Sequence, residues 1–484
     1  MNLGDLWLFI WNWILVFNFI FALVVVFLER RNVGVTWAWL MLLLFIPLFG
    51  FIIYIFLGQN LARQKVYRIK PRAVELAREE LTSQVRKLRS GEFVYHRPEV
   101  KTYENLIYLN LISSFAPLSQ NNEVTIITDG REKMDLLLEQ IDQATNHIHL
   151  LYYKVATDQT GLELIDALTK KAKQGVAVRF LYDDIGSPKL EKRALQDLIQ
   201  AGGEVHSFFP SRIRFLNLRV NYRNHRKIAV IDGQVGFVGG INIGDEYLGL
   251  DPKIGYWRDT HLMLKGDAVH RLQAQFMLDW STAALEHLPF LPEYFQNSHS
   301  QGSTAVQIVA SGPDTEKQQI KNGLIKLIFD AKKTIYIQTP YLVPDDSVLN
   351  ALKIAIQSGI DVHLMIPKKG DSKLVQWATN GYMAELLQLG AKCYLYEKGF
   401  LHAKTIMVDH QAASVGTANM DHRSFELNFE VNAFLYDSEF AAQMAAIFER
   451  DIQDCEELHW QSYKKRSLGN RFMESAARLL SPIL

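Results

Sequence analysis

The chain is poor in cysteine and has no net charge, and both features exclude classes of function. Only Cys393 and Cys455 occur among its 484 residues. Two cysteines are too few for a disulfide framework or a zinc site, and they suit a reducing compartment. Lysine plus arginine and aspartate plus glutamate balance at 52 each, so the overall charge does not favour a polyanion such as DNA. Any basic site must be local, and we expect no nucleic-acid partner.

Charged residues are also absent from two long stretches near the N-terminus. Residues 6–28 contain no charge and only Asn12 and Asn18 as polar interruptions, and residues 35–57 form a second uncharged stretch of the same length. Each stretch is long enough to cross a hydrocarbon core of about 30 Å. Residues 1–59 are therefore predicted to form a transmembrane helical hairpin. A cleaved signal peptide is the alternative, although its shorter apolar core would follow basic residues, which this N-terminus lacks.

The distribution of lysine and arginine predicts the orientation of this hairpin. The connector between the two stretches holds Arg30 and Arg31, whereas the flank after residue 57 holds a larger basic group. That group consists of Arg63, Lys65, Arg68, Lys70 and Arg72. Because the more basic flank stays in the cytoplasm, we expect a multi-pass protein of the cell membrane with everything after about residue 60 on the cytoplasmic side.

The remaining chain shows one pattern twice. Residues 60–121 are charged and helix-prone and are interpreted as a helical connector. From residue 122, short apolar runs alternate with amphipathic segments, which predicts an α/β fold. The same order recurs from residue 301. We therefore predict two similar lobes, residues 122–300 and 301–484, with mixed sheets flanked by helices and a pseudo-twofold axis that places equivalent loops face to face.

Both predicted lobes carry the same spaced set of polar residues. In each lobe the set begins at a histidine. A lysine lies two positions after this histidine, an aspartate seven, a glycine fourteen and an asparagine seventeen. The sets are His225, Lys227, Asp232, Gly239 and Asn242, and His402, Lys404, Asp409, Gly416 and Asn419. One H-x-K-x4-D match could arise by chance, but a second copy with matching glycine and asparagine is a strong signal.

The sequence around each motif predicts how its side chains point. The runs KIAVID and KTIMVD are apolar and β-branched, so each His-x-Lys should open a strand, with histidine and lysine on one face. Asp232 and Asp409 fall on the opposite face and have two interpretations. They either act directly in catalysis or cap the turn that follows the strand.

Paired histidines and lysines suit phosphodiester chemistry. One neutral imidazole can attack phosphorus while a protonated one donates to the departing oxygen. Negative charge spreads over the non-bridging oxygens in the transition state, and fixed donors there lower the barrier. Lys227, Lys404, Asn242 and Asn419 are suitable phosphate-binding donors. This constellation requires no metal and no cofactor.

The paired motif resembles that of the phospholipase D superfamily, and with the two apolar N-terminal stretches it resembles more narrowly the bacterial cardiolipin synthases. Further matches are the spacing of Trp39, Pro47, Gly50, Tyr54 and Gly58, the sequence NHRK around His225 and the sequence RSFELNFE at residues 423–430. The resemblance implies that His225 becomes phosphatidylated and that His402 protonates the leaving glycerol. Two phosphatidylglycerols would thus be joined into cardiolipin.

The resemblance also implies an acidic residue after each motif that orients a histidine. Glu430 lies 28 positions after His402 and fits this place, and Asp259, 34 positions after His225, is its counterpart by weaker spacing. Phosphatidylglycerol and anionic membrane lipid are the implied partners, and a homo-oligomer is compatible with the sequence.

Two alternative functions remain at this point. A membrane-anchored phospholipase D-type hydrolase, acting on phospholipid or another phosphodiester, would use water as acceptor. A transferase would instead exclude water from the intermediate, and the sequence does not reveal whether water is excluded. A non-catalytic lipid-binding scaffold would be expected to lose one His-x-Lys pair, whereas both are intact.

Two other segments combine basic and apolar residues. They are residues 208–230, which contain no acidic residue, and residues 464–480 near the C-terminus. Each is interpreted either as a surface that rests on anionic lipid or as an ordinary part of the folded domain.

Overall fold

The computed structural model describes most of the chain. The described residues are 33–46, 71–210, 221–296 and 302–481, with scattered positions between residues 4 and 22 and at Gly50, Tyr54 and Ser300. They divide into two compact units, residues 1–65 with 211–222, and residues 66–210 with 223–484.

The first unit contains helix α1, Val33–Phe45. The ring of Trp39 on this helix packs edge-on against Tyr54 at 5.0 Å, and Leu43 and Tyr54 are buried. Within the described part of the chain, no helix combines the length and apolar character needed to cross a bilayer. Most of the hairpin predicted for residues 1–59 lies outside the described residues, so that hairpin stays a prediction.

The second unit is built on one large mixed sheet. The strands of this unit are β1 (Ser119–Ile127), β2 (His147–Tyr152), β3 (Ala177–Asp183), β4 (Glu204–Phe208), β5 (Arg223–Asn224), β6 (Ile228–Ile231), β7 (Val235–Gly239), β8 (Tyr256–Arg258), β9 (His261–Gly266), β10 (Thr304–Ser311), β11 (Thr334–Gln338), β12 (Leu342–Val343), β13 (Asp361–Pro367), β14 (Lys392–Tyr396), β15 (Gly399–Leu401), β16 (Thr405–Val408), β17 (Ala412–Gly416), β18 (Met420–Asp421), β19 (Asn428–Tyr436) and β20 (Cys455–Leu458). The order across the large sheet is β20-β14-β13-β11-β16-β17-β19-β10-β1-β9-β7-β6-β2-β3-β4, with β5 paired to β19.

Helices cover this sheet. They are α2 (Pro71–Ser90), α3 (Glu104–Ser114), α4 (Gly130–Gln143), α5 (Gln159–Lys173), α6 (Gln196–Gln200), α7 (Ala268–Ala284), α8 (Gln319–Asp330), α9 (Asp346–Gln357), α10 (Lys373–Leu389), α11 (His422–Glu426), α12 (Ser438–Ile452), α13 (Trp460–Tyr463) and α14 (Leu468–Leu479). Several begin at an aspartate whose carboxylate accepts backbone N–H groups of the first turn, as Asp129, Asp158 and Asp345 do at α4, α5 and α9. The predicted mixed α/β class is confirmed.

The sheet has the same strand order on both sides of its centre. Strands β1 and β10 pair antiparallel there, followed by β9-β7-β6-β2-β3-β4 in one direction and β19-β17-β16-β11-β13-β14 in the other. In each half a parallel trio adjoins an antiparallel hairpin, which is β6–β7 in the first half and β16–β17 in the second. The two predicted lobes therefore share one sheet instead of forming separate ones.

Each half has its own hydrophobic core. Leu150, Leu164 and Phe180 are fully buried in the first, and Ile337 and Leu352 in the second. Helices α2 and α3 belong to the segment interpreted as a connector, and α3 buries its apolar side chains in the second core. In its described part this segment is helical at residues 71–90 and 98–114, with loops between and after these helices, and residues 119–121 already belong to β1. Helix α3 is also part of the packed body.

Candidate active site

Both His-x-Lys pairs lie at equivalent places in the sheet. His225 and Lys227 directly precede β6, and His402 and Lys404 directly precede β16. Strand β6 is flanked by β2 and β7, and β16 by β11 and β17. Each pair therefore starts from an interior strand, and all four side chains are buried.

Two short strand pairings bring the halves together at these histidines. Strand β5 runs parallel to the start of β19, and β8 runs parallel to β15. The N–H of His225 donates to the carbonyl of Phe429 at 2.9 Å, and the N–H of His402 donates to the carbonyl of Arg258 at 2.7 Å. The backbone of each motif is thus held by the opposite half.

The orienting carboxylates also cross between the halves. His225 Nδ1 lies 3.0 Å from both carboxylate oxygens of Glu430, and His402 Nδ1 lies 2.6 Å from Oδ2 of Asp259. An ionised carboxylate only accepts, so Nδ1 carries the proton and Nε2 of each ring remains for the substrate. Glu430 and Asp259 both contact a histidine, as the resemblance implied, but each holds the histidine of the other half.

The two lysines stabilise the backbone of the histidines they accompany. Lys227 Nζ donates to the carbonyl of His225 at 2.7 Å, and Lys404 Nζ donates to the carbonyl of His402. Burial lowers the pKa of Lys227 to about 7, although Glu430 opposes the shift. Burial lowers the pKa of Lys404 to about 8, with Asp259 opposing it. The charge of Lys404 also lowers the pKa of Lys227, so both motifs contribute to one electrostatic environment.

Burial keeps both imidazoles neutral at rest. It lowers the pKa of His225 to about 4, with Glu430 opposing the shift and Lys227 adding to it. It lowers the pKa of His402 to about 3, with Lys404 adding to the shift. A neutral His225 is ready to act as a nucleophile. An anionic phosphodiester beside the lysines would raise the pKa of both rings.

The two matched asparagines are both buried but differ in their contacts. Asn242 accepts the backbone N–H of Lys154 at 3.1 Å and donates to the hydroxyl of Tyr247 at 3.2 Å. The side-chain oxygen of Asn419 is buried and has no hydrogen-bond partner within the described part of the chain. The side-chain contacts of Asn242 therefore lie within its own half.

Asp232 and Asp409 are turn residues. The carboxylate of Asp232 accepts the backbone N–H groups of Thr145, Asn146 and His147 at 2.8 to 2.9 Å. That of Asp409 accepts the N–H groups of residues 332–334 at 2.7 to 2.9 Å. The histidine lies before the first residue of each strand, and the aspartate lies after the last one. The interpretation as catalytic residues is therefore corrected in favour of turn residues, because both carboxylates accept backbone N–H groups away from the imidazoles.

Sequence reasoning missed two aromatic residues that contact the histidines. The ring of Tyr153 meets that of His225 edge-on at 4.7 Å, and the ring of Trp257 lies 4.9 Å from that of His402. Trp257 Nε1 also donates to Oδ2 of Asp259 at 3.3 Å. Tyr153 directly follows β2, where loops of α/β folds carry site residues, and this position is a signal that could have identified it.

The basic and apolar segment at residues 208–230 is mostly internal where it is described. Phe208 and Phe209 are buried, and the buried Arg226 forms an ion pair with Asp279 at 2.7 Å. Lys227 belongs to the site. The interpretation as a lipid-facing surface is therefore wrong for these residues, and residues 211–220 lie outside the described part.

Helix α14 both packs on the protein and leaves apolar side chains exposed. Its Glu474 and Ala477 are buried, and Arg478 pairs with Glu385 of α10 at 2.9 Å. Leu468, Phe472 and Leu479 are exposed. The packed face agrees with an ordinary part of the folded domain, and contact of the exposed face with anionic lipid stays a prediction.

Two similar α/β halves that each place a His-x-Lys pair in one shared site define a phospholipase D-like protein. The family described as "Cardiolipin synthase, PLD-like domain" matches residues 137–280 and 324–452, and the family described as "Phospholipase_D-nuclease N-terminal" matches residues 13–59. The chain belongs to the cardiolipin synthase family of phospholipase D-like proteins.

Individual relatives agree with this assignment. The chain is 49% identical over 470 residues to the major cardiolipin synthase ClsA of Bacillus subtilis, with 97% of this chain and 98% of that protein covered. It is 49% identical over 472 residues to a cardiolipin synthase of Listeria monocytogenes serotype 4b, with the same shares covered. The crystal structure of phosphatidylserine synthase from Haemophilus influenzae superposes with a TM-score of 0.60 at 16% identity, covering 80% of this chain and 100% of that one. That likeness concerns the fold.

Proposed function

We propose that this protein is a cardiolipin synthase that transfers a phosphatidyl group from one phosphatidylglycerol to another and releases glycerol. The observation that carries the proposal is the crossed arrangement, in which each buried imidazole is fixed by a carboxylate of the opposite half. We infer that Nε2 of both rings faces the same phosphodiester, which is supported by the influence of each lysine on the pKa of the other half's histidine. The names of the relatives supply the lipid substrate class.

In the first step His225 Nε2 attacks phosphorus of the donor lipid. A nitrogen–phosphorus bond forms and the bond from phosphorus to the glycerol oxygen breaks. His402 donates its proton to that oxygen, so glycerol leaves as a neutral alcohol. Burial and the charge of Lys404 lower the pKa of His402. The negative charge of the bound lipid phosphate opposes this shift, so that His402 can hold the proton it donates.

In the second step the primary hydroxyl of another phosphatidylglycerol attacks the phosphatidylated His225. The hydroxyl proton passes to His402, the nitrogen–phosphorus bond breaks, and cardiolipin is formed. Lys227 and Lys404 offer positive charge to the non-bridging oxygens in both steps, and Asn419 offers a side-chain amide. Asn242 supports the site through Tyr247.

The lipid substrate agrees with a membrane location. Residues 1–59 would anchor the enzyme as a helical hairpin, with the catalytic unit on the cytoplasmic side of the cell membrane, and the matched N-terminal family over residues 13–59 supports a distinct N-terminal segment. In this arrangement the substrates are drawn from the bilayer, and no nucleic acid takes part.

The test is to incubate the full-length enzyme with phosphatidylglycerol and a chelator and to identify the products by mass spectrometry. We expect cardiolipin and free glycerol. His225→Ala and His402→Ala should each lower turnover by about 1,000-fold or more, because each removes a reacting group. His459→Ala, at an exposed histidine, is the matched control and should retain activity. Phosphatidic acid as the lone lipid product would favour the hydrolase instead.

A further inference from the structure

The two sides of the site differ in polarity although the halves are equivalent. On the His225 side, Tyr153 hydrogen-bonds Arg223, and Asp183 and Arg423 are close enough to influence the pKa of its phenol. Burial is the main cause that raises this pKa, followed by the charge of Asp183. The ring that contacts His225 therefore carries a hydroxyl group and lies near charged side chains.

The aromatic rings that contact His402 are those of Trp257 and Phe400, which carry no hydroxyl group. The rings of Trp257 and Phe400 lie 4.9 and 5.9 Å from the imidazole and 5.0 Å from each other, and Tyr247 packs on Trp257 at 4.8 Å. Together with Ile241 they form one hydrophobic cluster, here called the aromatic wall. Its exposed fractions are 8% for Trp257, 7% for Phe400 and 3% for Tyr247, so water has little access to it.

The backbone holds the aromatic wall tightly. Trp257 and Phe400 are directly paired residues of the parallel strands β8 and β15, one from each half. A Cβ atom on Gly399, beside Phe400, would lie 1.9 Å from the carbonyl oxygen of Tyr256. Only glycine permits this close approach of the strands, so the two rings are set by main-chain contacts that cross between the halves.

In the proposed reaction the acceptor reaches phosphorus from the His402 side. In an in-line displacement the glycerol leaves from the face of phosphorus opposite His225, and the acceptor must enter by the same face. Either a lipid hydroxyl or water can form the new phosphorus–oxygen bond while the nitrogen–phosphorus bond breaks and the proton passes to His402. The first acceptor gives cardiolipin, and the second gives phosphatidic acid.

We propose that the aromatic wall determines the choice of acceptor by excluding water from the face of phosphorus that His402 serves. This inference rests on the proposed function and adds specificity-determining residues to it. A lipid hydroxyl arrives with its own apolar chains and does not depend on a hydrated path, whereas water needs hydrogen-bonding partners along its route. The rings of Phe400 and Trp257 offer none on their faces.

The experiment measures the ratio of phosphatidic acid to cardiolipin made by the full-length enzyme from phosphatidylglycerol vesicles. Phe400→Ser should raise this ratio by about tenfold or more, because it opens the wall to water. Phe400→Leu should leave it within about twofold, because the side chain stays apolar. Phe290→Ser, at a half-exposed ring elsewhere, is the control and should leave the ratio unchanged.

The ratio does not depend on how much enzyme is folded, because both products come from the same phosphatidylated histidine. A series of Leu, Ala and Ser at position 400 should therefore raise the ratio progressively even where total turnover falls. If the wild-type enzyme makes cardiolipin but the Phe400 variants lose turnover at an unchanged ratio, the proposed role of the aromatic wall is overturned and the proposed function is not. A wild-type enzyme that makes only phosphatidic acid would overturn the proposed function as well.

Discussion

Gly240 lies directly behind the carboxylate that fixes His402. A Cβ atom at this position would lie 2.0 Å from Oδ1 of Asp259. That oxygen accepts the N–H of Thr260 at 2.7 Å, and the other oxygen of the carboxylate contacts His402. The carboxylate therefore cannot move away from an added Cβ atom without breaking its contact with Thr260 or His402. The absence of a side chain at Gly240 is part of what positions the imidazole.

Gly240→Ala should lower kcat for cardiolipin formation by about 100-fold, because a displacement of roughly 1 Å in a reacting group has this effect. The measurement is steady-state turnover together with thermal unfolding. Gly469→Ala is a matched control, since a Cβ atom there meets nothing closer than 3.9 Å, and it should retain full activity. Unchanged kcat in Gly240→Ala would show that the position of Asp259 does not matter.

At the scale of single residues, the sequence predicted the paired motifs better than the residues that contact them. The repeated spacing identified His225, His402 and their lysines, because a duplicated motif is visible in one sequence. It did not reveal that Glu430 holds His225 and Asp259 holds His402, since an exchange between halves depends on packing. Trp257 and Tyr153 belong to no spaced motif, and their proximity to the histidines follows from the fold.

At the scale of elements, the hairpins β6–β7 and β16–β17 connect each motif to its core. Asp232 and Asp409 adopt positive φ values of 52° and 53° at the turns, a conformation that aspartate tolerates better than most residues. Burial opposes a low pKa for Asp232, but the backbone donors at Thr145, His147 and Asn146 outweigh it and lower the pKa. The Asp232 carboxylate thus stabilises the folded state at pH values above the ordinary aspartate pKa. This stabilisation is lost as the pH falls through the lowered pKa of Asp232.

Asp232→Ala and Asp409→Ala should each lower the free energy of unfolding by about 2 kcal/mol, because each leaves several backbone donors without an acceptor. Turnover per folded molecule should remain within a few fold of wild type, since neither carboxylate reaches an imidazole. Chemical denaturation and active-site titration measure the two quantities separately. A variant with unchanged stability and abolished turnover would restore the direct catalytic role.

At the scale of the whole molecule, a sheet with equivalent halves forms one site at their junction. The alternation of apolar runs and amphipathic segments predicted the α/β class and the recurrence of strand order. It did not predict that β1 and β10 join the halves into one sheet, because edge pairing depends on which strand edges meet. Nor did it predict the strands β5, β8 and β15, which are too short to show a periodic pattern but carry the contacts that cross between the halves.

The most direct test is a structure of the enzyme with a phosphate-like oxyanion such as vanadate bound. The account predicts one oxyanion with Nε2 of His225 and Nε2 of His402 both within about 3 Å of its oxygens or central atom, on opposite sides. An oxyanion bound to only one of the two histidines, with the other turned away, would contradict a reaction carried out by both halves on one phosphorus.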